Sequence, residues 1–265
     1  MTVPKKFSRR QFMAVALLAV PALAVAEGRC VEPTWLQVRR LRLGDGAMGV
    51  RLVHFTDLHH KGDATYLQAV VDRINSLKPD FVCFTGDLVE AREHLPETLD
   101  ILSGVAAPMY GVPGNHDYWS RISFVPVRQC FAATGGAWLL NEHREFAGGQ
   151  IHLTGITSGP RYEPTLTQPA GSVNPAGKKI LLMHYPAWAK NRGEEKFDLL
   201  LAGHSHGGQV RIPFYGPLIL PFGVEEYDLG FFPTPAGPLY VGAGIGWFHL
   251  NVRFNCRPEI TVIEI

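Results

Sequence analysis

Arg51-Leu52-Val53-His54-Phe55-Thr56-Asp57-Leu58-His59 is an apolar run that stops abruptly in an acid and an imidazole. A short apolar run bounded in this way reads as a buried strand, placed here at residues 51–56. Just downstream, Tyr66, Leu67, Val70, Val71, Ile74 and Leu77 recur at helical spacing over residues 64–77, and Lys78-Pro79 closes that segment. Residues 80–85 are a second apolar run, so the three segments form a β-α-β unit. Working outward, residues 179–183 and 198–202 have the same buried-strand character. Helices are expected around 96–102 and 121–133, the latter stopped by Gly135-Gly136. The second half is richer in alternation and turns: 151–157, 239–241 and 259–265 read as strands, and 247–254 is strand-like. A mixed two-sheet α/β domain fits this pattern better than a purely parallel sheet. The segment 160–177, with prolines at 160, 164, 169 and 175, reads as a long surface loop. No repeat or linker divides residues 27–265, which are expected to form a single domain.

At 265 residues, with 46% apolar and 18% charged residues, the chain can bury a core and is neither disordered nor a disulfide-stapled miniprotein. Basic and acidic residues number 25 and 24, but Lys5, Lys6, Arg9 and Arg10 lie in the first ten positions. Residues 27–265 therefore carry 21 basic against 24 acidic side chains. A mildly acidic body lacks the basic footprint that phosphate-backbone binding requires, so no nucleic-acid partner is expected.

The N-terminus reads as an address. Basic residues at 5–10, an apolar stretch at 12–25 and an Ala24-Val25-Ala26 site follow the order of a secretory signal. The uncharged run from 11 to 26 has 16 residues, short of the roughly 20 a spanning helix needs, which favours a cleaved signal over a retained anchor. Ser8-Arg9-Arg10-Gln11-Phe12-Met13 resembles the twin-arginine export motif, whose pathway carries folded proteins. The expectation is a signal peptide over 1–26 and a bacterial protein working in the periplasm or on the outer face of the membrane. Cys30, Cys83, Cys130 and Cys256 make no C-x-x-C pair, which excludes a zinc ribbon or thioredoxin motif. A Cys30–Cys256 bridge is left open, and Cys83 reads as a small buried hydrophobe.

Polar residues gather where the expected strands end, which is where α/β folds bind ligands. Asp57 and His59 follow the first strand, two residues apart and so on one side of an extended chain. Gly86-Asp87 follows the second, with two carboxylate oxygens able to bridge two metals. Gly114-Asn115-His116-Asp117 follows the short apolar run 109–112, His184 ends another strand, and Gly203-His204-Ser205-His206-Gly207 ends the next. Each piece alone reads as a turn or cap. Together they put oxygen and nitrogen ligands at five strand ends, which packing does not explain. His54, His94, His143, His152 and His249 fall outside this pattern, and His60 is ambiguous.

The ordered set Asp57-x-His59, Gly86-Asp87, Gly114-Asn115-His116-Asp117, His184 and Gly203-His204-x-His206 resembles that of calcineurin-like metallophosphoesterases across nearly all of residues 27–265. Gly203-His204-Ser205-His206-Gly207-Gly208-Gln209, Glu32-Pro33-x-Trp35 and Asn255-Cys256-Arg257-Pro258-Glu259 resemble more narrowly the exported YaeI/YkuE-type branch, which is similar to UDP-2,3-diacylglucosamine hydrolases of lipid A synthesis. The resemblance implies an α/β sandwich of two mixed sheets flanked by helices, with two divalent metal ions (Mn, Zn or Fe) at one end. It implies that Asp57, His59 and His206 hold one ion, that Asn115, His184 and His204 hold the other, and that Asp87 bridges them. His116 would be the general acid and Asp117 would orient it. The implied reaction is hydrolysis of a phosphodiester or pyrophosphate by direct attack of metal-held water or hydroxide, without a phospho-enzyme. Its substrate would be a phosphoester, lipid-linked in the manner of that branch.

Two competing readings remain. Gly203-His204-Ser205-His206-Gly207 also satisfies the serine-hydrolase G-x-S-x-G signature, with Ser205 as nucleophile. That signature needs a helix next, and Gly207, Gly208 and Pro213 make a poor start. The other is an exported metal- or lipid-binding protein without turnover, against which stands the count of ligands around one bridging carboxylate. Gly242-Ala243-Gly244-Ile245-Gly246 lacks dinucleotide-loop spacing and reads as a turn whose backbone approaches the site. Residues 212–232 carry Phe214, Tyr215, Leu218, Ile219, Leu220, Phe222, Tyr227, Phe231 and Phe232 among prolines and glycines. They read as an irregular loop packed on the core or as an apolar rim for acyl chains and peripheral membrane contact. Oligomeric state is not legible.

Overall fold

The computed structural model describes residues 8–44, 46, 48–157, 177–191 and 195–265. The elements are α1 (Arg9–Cys30), β1 (Gln37–Arg42), β2 (Arg51–Phe55), α2 (Ala64–Ser76), β3 (Phe81–Phe84), α3 (Leu95–Leu102), β4 (Met109–Gly111), α4 (Asn115–Trp119), α5 (Phe124–Ala133) and β5 (Ala137–Trp138). They continue as β6 (Glu142–Phe146), β7 (Ile151–Gly155), β8 (Lys178–Leu182), β9 (Leu199–Ala202), β10 (Arg211–Ile212), β11 (Gly216–Pro217), β12 (Gly230–Thr234), β13 (Gly237–Val241) and β14 (Glu259–Glu264). One six-stranded sheet has the order β1-β14-β2-β3-β4-β5 and the other β12-β13-β9-β8-β7-β6. In each, parallel pairs form the middle, and antiparallel pairing enters at β14–β2 in the first and at both edges of the second. The expected two-sheet mixed α/β architecture is the one observed.

Period-two alternation explains the layers. In β2 and β3, Leu52, Phe81 and Cys83 turn inward against Leu153, Ile180, Leu182 and Leu201 of the other sheet. Their neighbours Val53, Phe55, Val82 and Phe84 turn outward onto Val70, Val71 and Ile74 of α2 and onto Val127 and Phe131 of α5. Asp63 caps α2 by accepting from the Tyr66 N–H at 3.0 Å, and Ser123 caps α5. The outer face of the second sheet is covered by Tyr185, Trp188 and Tyr227 instead of an α-helix among the described residues.

Several local expectations are corrected. The segment 247–254 is not a strand; only an isolated bridge joins Phe254 to Val210, because Gln209 ties this stretch into bends. The helix expected at 121–133 begins at Phe124, and Asn115–Trp119 is a separate turn of helix. No Cys30–Cys256 bridge exists: Cys30 is an exposed free thiol and Cys256 a buried one. Residues 160–176 of the expected long loop lie outside the described residues. Among the described residues no helix is long and apolar enough to cross a membrane.

Arg253 anchors the end of the molecule where the site lies. It is fully buried, and its guanidinium donates to the carbonyls of Ala243, Gly244, Gly246 and Cys256. Carbonyl dipoles solvate the charge in place of a carboxylate. The 242–246 turn is thereby held against the end of β2, where the Gly246 N–H donates to the Asp57 carbonyl at 2.7 Å. A Cβ at Gly246 would lie 2.0 Å from the Leu58 carbonyl oxygen, so this backbone approach requires glycine. The turn is the site-approaching element its sequence suggested.

Candidate metal centre and active site

The expected ligands come together at the carboxyl ends of the parallel strands. Asp57, His59, Asp87, His204 and His206 all have left-handed backbone, with φ of +52°, +41°, +64°, +68° and +49°. Non-glycine residues adopt this region rarely, and such strain concentrates at functional sites. Interstrand bonds hold them there: the Asp57 and His59 N–H groups donate to the carbonyls of Gly86 and Asp87 at 2.9 and 3.0 Å. The His204 N–H donates to the Asp57 carboxylate at 3.0 Å. Gly114 sits so close to Asp87 that a Cβ there would lie 2.1 Å from Oδ1.

Of three groups of ligand atoms mutually within 4.8 Å, one is His59, Glu90 and His116, and the other two hold six expected ligands: Asp57, His59 and His206, and Asp87, His184 and His204. All six residues are buried. The hydrogen bonds assign the tautomers. His184 Nδ1–H donates to the Thr85 carbonyl at 2.7 Å, His204 Nε2–H to the Phe222 carbonyl at 2.8 Å, and His59 Nδ1–H to the Glu90 carboxylate at 2.8 Å. Their remaining lone pairs converge. His59 Nε2 faces His206 Nε2 at 3.0 Å, and His184 Nε2 faces His204 Nδ1 at 3.1 Å. Asp87 Oδ2 lies between the pairs, 3.2 Å from His59 and 3.3 Å from His184, and Asn115 Oδ1 is 3.0 Å from His184 Nε2. Facing lone pairs repel unless a proton or cation lies between them, and atoms ligating one ion at about 2.0–2.2 Å sit about 3 Å apart. The donor set therefore fits two divalent cations.

Metal-free electrostatics agree. Burial alone would depress His59 and His184, but the Asp87 carboxylate, with Glu90 on His59 and Asp57 near His184, pushes both up to about 9. Burial and the charged His184 take His204 down to about 3. Burial would raise Asp87, yet His184 and His59 hold it well below the ordinary carboxylate range. Protons thus supply part of the positive charge that ions would bring.

Asp117 does not orient His116. Its buried carboxylate accepts from the backbone N–H groups of Asp87, Leu88 and Gly114 at 2.8–3.0 Å, clamping the strand-end loops together. Burial and the Asp87 charge push it up to about 7. The carboxylate facing His116 is Glu90, 3.1 Å from Nδ1, which also receives His59 Nδ1–H and lies 3.7 Å from Lys61 Nζ. Bonds to His116 and His59 hold Glu90 far below the usual carboxylate range. Sequence reading missed Glu90; its one signal is a carboxylate three residues beyond Asp87 in the same strand-end loop. His116 lines a cavity of about 270 Å³ with Trp119, Tyr185, Phe222 and Phe248 as apolar walls.

Other candidates fall away. Ser205 is buried, its hydroxyl accepts from the Gly207 N–H at 3.0 Å, and a 3-10 turn at His206–Gly208 follows in place of the helix a nucleophile elbow needs. His60 binds Glu97 at 2.6 Å and His54 binds Thr85 Oγ1 at 2.8 Å, both away from the ligand groups.

A family model described as calcineurin-like phosphoesterase matches residues 50–208. The chain is 31% identical to the uncharacterized metallophosphoesterase YkuE of Bacillus subtilis, with 98% of each chain covered. It is 28% identical to the phosphodiesterase YaeI of Escherichia coli over 97% of this chain and 99% of that one. It is 27% identical to the UDP-2,3-diacylglucosamine pyrophosphatase LpxG of Chlamydia trachomatis, covering 94% of each. Among solved structures it is similar to TT1561 of Thermus thermophilus at 14% identity and a TM-score of 0.46, covering 74% of this chain and 90% of that one.

Proposed function

We propose, from the premise that the chain belongs to the calcineurin-like phosphoesterase family, that it hydrolyses a phosphodiester or pyrophosphate bond of a lipid-linked substrate by direct displacement with water. The observation that carries the reading is the pair of converging imidazole sets with Asp87 between them. In it Asp57, His59 and His206 would hold one ion, Asn115, His184 and His204 the other, and Asp87 would lie between them. When bound, two divalent ions polarise a phosphoryl oxygen, lower the pKa of water and offset charge on the leaving oxygen.

The protein's own groups do the rest. Glu90 fixes the His116 ring by its Nδ1, leaving Nε2 for the cavity, where His116 protonates the leaving oxygen. The described residues lining the cavity include no Ser, Thr or Cys, and its Asp and His side chains are proposed as ligands or, in His116, held by Glu90, which supports attack by water. Among the described lining residues there is no Arg or Lys to meet the second negative charge of a monoester. That favours a diester or pyrophosphate, in keeping with the names of YaeI and LpxG. Lipid linkage is supported by the 212–232 segment, where Phe214, Tyr215, Ile219 and Phe222 are exposed while Val224 and Tyr227 are buried. Its distal part packs on the core and its proximal part forms a rim suited to peripheral membrane contact.

The full-length chain, stripped by chelation and reloaded with Mn²⁺, is expected to hydrolyse bis-p-nitrophenyl phosphate at least tenfold faster than p-nitrophenyl phosphate and to lose both activities on stripping. Two bound ions without turnover of either ester, or turnover that survives stripping, would defeat the reading. Export is the companion proposal. On α1, Phe12, Leu17, Val20, Leu23 and Val25 are exposed, apolar and without packing on the domain. Mass spectrometry of protein recovered from the periplasm should give a chain beginning at Glu27, and an unprocessed cytoplasmic product would count against it.

A further inference from the structure

Beside the catalytic cavity lies a second one of about 370 Å³, within the range of roughly 300–1,000 Å³ typical of ligand pockets. The two share His206, Pro221 and Phe248, so the second opens directly from the metal centre. One wall is Val210, Leu218 and Ile219, and the other is Leu250 and Val252. Leu218, Ile219 and Leu250 are 54%, 79% and 69% exposed, a continuous apolar lining left to solvent. Ser205, His206 and His249 also line it, and the fourth polar side chain, Gln209, is spent: its Nε2 donates to the carbonyls of Leu250 and Val252 at 3.0 and 2.9 Å, and its Oε1 accepts the Phe248 N–H. The opposite wall is fixed by the Leu218 N–H donating to the Val210 carbonyl at 3.0 Å. The groove is therefore held open, has apolar side walls and begins beside the metal centre, the end where its imidazoles lie.

We infer that this groove receives an acyl or alkyl chain of the substrate whose phosphoester lies at the Asp87 centre; the assignment rests on the phosphoesterase reading above. Its occupant is argued from continuity with the centre and from the apolar lining. The C-terminal end of α1 docks on the same wall, with Arg29 Nη1 donating to the Asn251 carbonyl at 2.6 Å and the Arg253 N–H to the Gly28 carbonyl at 2.8 Å.

The test uses the full-length chain loaded with Mn²⁺ and two diesters with one leaving group, p-nitrophenyl ethyl phosphate and p-nitrophenyl octyl phosphate, below micelle-forming concentration. Burial of each methylene is favourable by about 0.8 kcal/mol, so kcat/KM should be at least tenfold higher for the octyl ester once two or more are buried. In the L218S/L250S protein, altered only at exposed positions, the octyl advantage should fall below twofold with the ethyl ester unaffected. Equal rates on both esters in the unaltered protein, or an octyl advantage that persists in the double variant, overturns the groove and leaves the phosphoesterase reading standing. Calorimetric binding of octyl phosphate gives a readout free of turnover. Binding weakened tenfold or more in L218S/L250S upholds the groove even if neither ester is cleaved, in which case the phosphoesterase reading alone fails; equal binding by both proteins overturns it.

Discussion

Asp87→Asn is expected to lower kcat/KM on a phosphodiester by on the order of 10³-fold and to leave the chain unable to retain two ions together. Asp87 Oδ2 is within 3.3 Å of one imidazole from each ligand group, while Oδ1 accepts the His116 N–H at 2.8 Å. An amide can keep that backbone bond through its oxygen only by turning its NH₂ toward the imidazoles, where it offers protons to lone pairs that ligate cations. It also removes the negative charge that two adjacent dications need between them. Metal content by elemental analysis, read beside the kinetics, checks both parts. Two tightly held ions and a loss under tenfold would show that Asp87 is not the bridge.

His116→Ala should lower the rate by roughly 10²–10⁴-fold, but only on substrates whose leaving oxygen needs a proton. A p-nitrophenolate departs without protonation, so its ester should suffer little, whereas an alkyl or sugar-phosphate leaving group should suffer the full loss. Both ions should stay bound, because His116 is not among the ligands proposed. Glu90→Gln should show the same dependence on leaving group at about tenfold. Both imidazole Nδ1 atoms face one Glu90 oxygen, Oε2, so an amide oxygen placed there still accepts from both but without the negative charge that strengthens the two bonds. Equal losses across leaving groups would remove His116 from the role of acid and Glu90 from that of its positioning residue.

Much of this arrangement is legible in the sequence. The buried strands around residues 52–55, 81–84, 180–182 and 199–202 are short apolar runs that could hardly be anything else, and six of the seven expected ligands fall into the two groups the structure assembles. The seventh, Asn115, meets His184. Legibility fails where partner choice depends on angle and not on adjacency. Asp117 follows His116 in sequence, yet a helical turn sends its carboxylate back to the backbone of Asp87 and Leu88. Glu90 reaches both imidazoles from another loop, and no spacing within its own segment announces that. Residues 247–254 look strand-like by composition, but Gln209 outcompetes sheet pairing for their backbone groups. The 212–232 segment mixes both fates its composition allowed, because a chain rich in prolines and glycines packs only where a neighbouring face is free to receive it.

β14 lies between β1 and β2 in the first sheet, pairing with both. The strand that ends in Asp57 and His59 therefore has β3 on one side but gains its other neighbour only from residues 259–264. Such closure between distant segments slows folding. The strand end that carries Asp57 and His59 is thus fully flanked only once a segment far along the chain is available to pair, so the rigidity of that end depends on late chain elements and not on its neighbours in sequence.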